Sequence, residues 1–147
     1  MDRRAVLQAG LAALAGAVST GEARVSEAAG QASDTQAKRL GAHALGSAFE
    51  GWQGTILEVT YPPGVESAAH QHPGPTFGYV VSGRIRWAIN GEPAVELGPG
   101  QSFFEPMGSI HSTSANASAT EPARIAVVIL GKVGEPLSRP ATRRGSH

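Results

Sequence analysis

Between about residues 39 and 132 the chain is a succession of short apolar-polar runs cut by turn residues. Thr55 to Tyr61 is one such run, closed by Pro62-Pro63-Gly64. Phe77 to Val81 is stopped at Ser82-Gly83, and Arg84 to Ile89 alternates polar with apolar, the period of a half-buried strand. Asn90-Gly91 is a two-residue hairpin signal, because both positions tolerate the positive φ of a type I′ turn. Ala94 to Leu97, Ser102 to Glu105, Ser109 to Ser114 and Arg124 to Leu130 complete the set. Closely spaced strands with no helix between them predict an all-β fold, an antiparallel sandwich or barrel.

The two ends break this pattern. Arg3-Arg4 precedes a small apolar run from Ala9 to Val18, too short for a bilayer span of roughly 20 residues. A charged start, an apolar middle and small-residue sites ending at Ala17 or Ala23 predict an export signal over 1–23, and the paired arginines resemble the twin-arginine type. The expected destination is the periplasm or the exterior of a bacterium, with no membrane span after signal removal. Residues 24–38 read as a linker or N-terminal arm, 39–135 as the barrel domain, and 136–147 as a flexible tail.

Composition narrows the chemistry. Of 147 residues, 41% are hydrophobic and 16% charged, with 19 Gly and 10 Pro, a balance suited to strands and turns in one domain. Lys plus Arg and Asp plus Glu both number 12, and no sustained basic stretch exists, which argues against a nucleic-acid partner. With no cysteine, disulfides and thiolate metal sites are excluded.

Candidate chemistry lies at His70-Gln71-His72. On a strand, residues i and i+2 share a face, so both imidazoles can converge on one ion. Alone the pair is a weak signal. It gains specificity from its surroundings: Gly64, His70, His72 and Gly83 in one segment, then Gly100, Pro106, Gly108 and His111 in another. These resemble the two motifs of the cupin superfamily, Gly-x5-His-x-His-x3,4-Glu-x6-Gly and Gly-x5-Pro-x-Gly-x2-His-x3-Asn, with Asn116 falling one residue late. The resemblance covers about Gly64 to Asn116. It implies a cupin-type jelly-roll barrel holding one divalent transition metal (Fe, Mn, Zn, Ni or Cu) through His70, His72 and His111 inside one mouth. It also implies a small-molecule ligand and pairing into a homodimer.

One departure matters. Thr76 stands where the family motif carries its metal-binding Glu. Either three histidines hold the ion with water or substrate, or a carboxylate arrives from elsewhere. Glu105 is the candidate, as a ligand and as the catalytic group that tunes charge or shuttles a proton. An acid in Ser102-Phe103-Phe104-Glu105-Pro106 is costly to bury without a partner, and the competing reading is an outward-facing side chain. Among aromatics, Phe77, Tyr79, Trp87, Phe103 and Phe104 could be core or pocket; the expected substrate pocket is Thr76, Tyr79, Trp87 and Phe104. His43 is expected at the surface or in a structural role, and Ser112 to Ser114 suggest no nucleophilic triad.

The family resemblance implies a metal-dependent oxidoreductase of dioxygenase type acting on a small molecule. The alternative is a non-enzymatic periplasmic module that binds a metal or a small ligand. Because the fold hosts many activities, it does not choose between them.

Overall fold

A computed structural model describes residues 35–141. The expected export signal, most of the expected linker and the last six residues lie outside them. Eleven strands follow in order: β1 (Gln36–Ala44), β2 (Trp52–Tyr61), β3 (Glu66–Ser67), β4 (His70–Gln71), β5 (Thr76–Ser82), β6 (Ile85–Ile89), β7 (Val95–Leu97), β8 (Ser102–Glu105), β9 (His111–Asn116), β10 (Ala123–Lys132) and β11 (Arg139–Pro140). One 3-10 turn, Ser47–Phe49, joins β1 to β2. The strands make two antiparallel sheets, ordered β1-β2-β10-β5-β8 and β11-β4-β9-β6-β7, with β3 also on β9. This is the jelly-roll barrel that the sequence predicts.

Each of the seven runs read from the sequence overlaps a strand, although Ser109 and Ile110 precede β9. β10 shows the clearest period, with Ala123, Ile125, Val127 and Ile129 buried and the residues between them at least partly open. These pack with Leu57, Tyr61, Val80, Ile85 and Phe103 as the core between the sheets. Asn90 and Gly91 both have positive φ, 56° and 76°, and Glu92 N–H bonds the Ile89 carbonyl at 3.0 Å, as the hairpin signal requires.

The domain limits differ from expectation at both ends. Residues 36–38, expected in the linker, begin β1 and pair with β2, Gln36 opposite Thr60. Residues 136–140, expected in the tail, form a strap along the barrel. Arg139 and Pro140 pair with Gln71 and His70, and Leu137 packs against the core. Gln36-Ala37-Lys38 is too short an alternation to read as a strand by itself, and the C-terminal strap is held by only two residue pairs.

Gly83 shows what a motif glycine does here. Its φ is +74°, and an added Cβ would lie 2.5 Å from the Pro122 carbonyl oxygen. The turn after β5 thus needs both left-handed backbone and no side chain.

Candidate metal centre

The three histidines of the two motifs meet. His70 on β4 is the direct partner of His111 on β9, and His72 follows β4 by one residue. Ring centroids of His70 lie 4.9 Å from those of both His72 and His111. One nitrogen from each ring falls within 4.8 Å of the others.

Local backbone sets this convergence. β9 carries a bulge: Ala88 pairs with Thr113 and Ile89 with His111, so Ser112 is extra. A bulge shifts the alternation of its strand, and here His111 and Ser114 both point inward although three residues apart. The same extra residue accommodates Asn116 one place later than the family spacing. Asn116 is buried, and its side-chain amide donates to the carbonyls of Tyr61, Pro62 and Glu121, fastening the loops behind the site.

Ring orientation follows from backbone acceptors. His70 Nδ1–H donates to the Ala68 carbonyl at 2.7 Å, and His72 Nδ1–H donates to the Leu137 carbonyl at 2.7 Å. A carbonyl only accepts, so both rings carry their proton on Nδ1 and offer the Nε2 lone pair. His111 is 4% exposed, and its buried ring nitrogens make no well-formed hydrogen bond, although Nδ1 faces Glu105 Oε1 at 3.2 Å. Orphaned buried nitrogens cost about 1–3 kcal/mol each unless a partner arrives. These donors therefore fit a divalent transition ion, for which neutral imidazole is a common ligand.

Glu105 faces inward. It is 3% exposed, with Oε1 3.2 Å from His111 Nδ1 and Oε2 3.6 Å from His72 Nε2. Trp87 donates its indole N–H to Oε1 at the long distance of 3.5 Å. Thr76 on β5 and Glu105 on β8 are direct cross-strand partners, so this carboxylate sits one rung from the position where the family motif carries its Glu. Alternation then turns Phe103 inward with Glu105 and Phe104 outward.

Burial, slightly opposed by the Trp87 bond, pushes the Glu105 carboxyl up to about 7. Burial, with His70 nearby, pulls His72 down to about 4. Burial, then the neighbouring histidines, pulls His111 down to about 3. His72 and His111 are thus neutral imidazoles near pH 7 and ready to ligate.

This has a consequence for the metal-free protein. Below pH 6.5 an unfolded chain protonates both histidines, whereas the folded chain keeps them neutral to about 4 and 3. Their contribution is present above pH 6.5 and is lost on acidification. Glu105 acts oppositely, costing stability as pH rises from 4.5 to 7, because its folded form keeps a proton that the unfolded form releases. Two histidines outweigh one carboxyl. Between pH 6.5 and 4.5 the metal-free protein should lose about 1 kcal/mol per pH unit. Urea midpoints in chelator test this, and Glu105→Gln should steepen the slope.

The histidines open onto a cavity of about 270 Å³ whose walls include Leu57, Val59, Ile125, Val127, Phe103 and Leu137. Most of the expected pocket residues lie elsewhere. Tyr79 and Phe104 are 50% and 46% exposed on the outer face of the first sheet, where Phe104 contacts Phe77. Thr76 is fully buried, but its hydroxyl donates to the Gly74 carbonyl at 3.4 Å and it does not line the cavity. Trp87 does not line the cavity but stands 5.5 Å from Phe103 and 6.4 Å from His111 between ring centroids, and its indole N–H donates to Glu105. In each case strand phase decides the face, and phase was undetermined without the pairing register. Sequence reasoning missed Ser67, Tyr61 and the Leu137 carbonyl. The last leaves no sequence signal, since any residue supplies a carbonyl. His43 is exposed, as expected.

Fold and site together define a small two-sheet β-barrel with a histidine cluster in its mouth. Residues 57–129 match the family model for the cupin domain, Cupin_2, and the barrel is a cupin domain. Dimethylsulfoniopropionate lyase DddQ of Ruegeria pomeroyi is 34% identical over 55 residues, 37% of this chain and 27% of that protein. The crystal structure of DMSP lyase DddQ from Ruegeria pomeroyi superposes with a TM-score of 0.53 at 22% identity, covering 63% of this chain and 45% of that one. An RmlC-like cupin from Shewanella frigidimarina gives 0.54 at 19% identity, covering 70% and 81%. This chain spans only about a quarter of the lyase sequence, and the structural likenesses show the fold.

Proposed function

We infer that this chain is a metal-dependent enzyme that binds a small anionic molecule at His70, His72 and His111 and moves a proton through Glu105. The observation that carries this reading is the buried Glu105 carboxyl lying against both His72 and His111 at the head of an apolar cavity. A bound divalent ion would supply Lewis-acid polarisation of a substrate oxygen. The chain supplies the rest. The Ala68 and Leu137 carbonyls hold two rings in the ligating tautomer. The apolar walls exclude water. Glu105, with its carboxyl near 7, can accept a substrate proton at one oxygen and return it near neutrality. Proton abstraction beside a carboxylate suits this arrangement, and the similarity to a dimethylsulfoniopropionate lyase favours such elimination chemistry.

Oxidoreductase chemistry of dioxygenase type is the second reading, favoured by a ligand set of three neutral imidazoles that leaves the ion's charge uncompensated except by Glu105. An export signal over residues 1–23 belongs to this proposal too, with the activity in the periplasm or outside the cell.

The test loads metal-free protein with Fe(II), Mn, Zn, Ni or Cu and measures metal per chain, product release and oxygen uptake with small carboxylates bearing a leaving group. One ion per chain with oxygen-independent turnover is expected. Oxygen uptake coupled to turnover would assign the oxidoreductase instead. Stoichiometric metal without turnover would leave a binding module. Glu105→Gln should lower turnover of the loaded protein by about 10²-fold or more and metal affinity by about 10- to 100-fold. Unchanged values for both would remove Glu105 from the chemistry.

A further inference from the structure

The cavity has two polar ends. At one lie the histidines and Glu105. At the other, the hydroxyls of Thr35 and Ser67 sit 3.2 Å apart, and the Tyr61 hydroxyl meets that of Ser114 at 2.5 Å. Thr35, Ser67 and Tyr61 all line the cavity. The ladder fixes their separation: Ser67 pairs with Ser114, and His70 pairs with His111 three residues further along. The bulge at Ser112 makes this two rungs of the ladder, Trp87 to Ile89 on β6, so at about 3.3 Å per residue the hydroxyl pair stands about 7 Å along the sheet from the histidine pair. The rest of the lining is mostly hydrocarbon and includes Leu57, Val59, Ile125 and Val127.

Charge is distributed just as unevenly. Among the described lining residues there is no Lys or Arg, and Glu105, at the histidine end, is the one carboxylate. An anionic head therefore finds its counter-charge only at the ion. A cationic tail would meet neutral hydroxyls, aliphatic carbon and the single ring of Tyr61 at the far end, with no carboxylate to repay its lost hydration. A neutral hydroxyl or carbonyl there would find hydroxyl partners already in place, each with a donor and two acceptor sites to distribute.

We propose that the cavity selects a short-chain monocarboxylate with a neutral hydroxyl or carbonyl at its far end, the carboxylate at the His70–His72–His111 cluster and the distal oxygen at Thr35 and Ser67. This rests on the proposed metal site and specifies its substrate class. It departs from what similarity to a dimethylsulfoniopropionate lyase would suggest, since that compound carries a sulfonium cation where this cavity presents neutral groups.

Titration calorimetry on zinc-loaded protein tests it, with zinc per chain measured on every sample and no turnover needed. The probes are acetate, hexanoate, 6-hydroxyhexanoate and dimethylsulfoniopropionate. Hexanoate should bind more tightly than acetate because its chain covers the apolar wall. 6-Hydroxyhexanoate should bind about 5-fold more tightly than hexanoate, the effect of one added hydrogen bond. Ser67→Ala should erase that 5-fold difference and leave hexanoate unchanged. Because Ser67→Ala removes a single oxygen, an unchanged melting temperature and hexanoate affinity certify its fold, and Thr35→Ala repeats the test from the other hydroxyl. Tighter binding of dimethylsulfoniopropionate than of 6-hydroxyhexanoate, or equal binding of all carboxylates by zinc-loaded protein, would overturn this assignment alone. Absence of zinc would overturn the parent reading with it.

Discussion

Replacing His111 with leucine should abolish the metal-induced rise in melting temperature while leaving the metal-free protein as stable as the parent, or more so. The two halves have different causes. In the metal-free state the imidazole is 4% exposed, and neither ring nitrogen makes a well-formed hydrogen bond, Nδ1 only facing Glu105 Oε1 at 3.2 Å. Burial and the other two rings hold it far below the usual histidine range, so its polarity is a cost in that state. Leucine has a comparable volume and no polar atom, and it would sit beside Phe103, 6.3 Å away between ring centroids. In the loaded state the balance reverses. An ion at 1,000 times its dissociation constant stabilises the fold by about 4 kcal/mol, on the order of 15 °C for a domain of this size. Removing one of three ligands should eliminate most of that. Scanning calorimetry of both proteins, with zinc and with chelator, gives the four temperatures needed. A histidine that only packs would lose the same stability in both buffers, and that pattern would end the metal assignment.

The reach of sequence reasoning can be followed along one sheet. The run from Ser102 to Glu105 is readable as a strand because it is short, apolar and bounded by Gly100 and Pro106. Its face is not readable. Two phases exist, and a one-residue slip exchanges Phe103 and Glu105 for Ser102 and Phe104. Only the pairing of Thr76 with Glu105 chooses, and with that choice Phe104 and Tyr79 leave the pocket while Phe103 enters it. The histidine cluster was legible for a different reason. Its motifs pair ligands with turn residues of rigid demand, such as Gly83, whose positive φ and contact with the Pro122 carbonyl allow no other side chain without strain. Positions with such strict backbone requirements mark the sequence visibly. Contacts made through main-chain atoms do not. The Leu137 carbonyl that orients His72 belongs to a segment that looks like a polar tail, and β11 holds it with two residue pairs.

Removing the Phe103 ring should be the most damaging single change in the core, and its partner glycine shows why. Phe103 and Gly78 face each other across β8 and β5. A Cβ built on Gly78 would lie 2.0 Å from Phe103 Cζ, so the ring lies directly over the glycine. That ring also stacks near Trp87 and forms part of the cavity wall, which leaves it little room to move aside. Phe103→Ala should therefore cost about 3–5 kcal/mol through lost burial and the void left behind. Gly78→Ala should cost about 1–3 kcal/mol by overpacking. The decisive measurement is the double variant. Once residue 103 is alanine, the clash is gone, and alanine is better tolerated than glycine within a strand by roughly 0.5–1 kcal/mol. Gly78→Ala should then be neutral or stabilising in the Phe103→Ala background. A double-mutant cycle from urea denaturation should give a coupling of at least about 1 kcal/mol. Additive costs would mean that the ring does not occupy the space over Gly78. The packing of Phe103 between Gly78, Trp87 and the cavity would then have to be drawn differently.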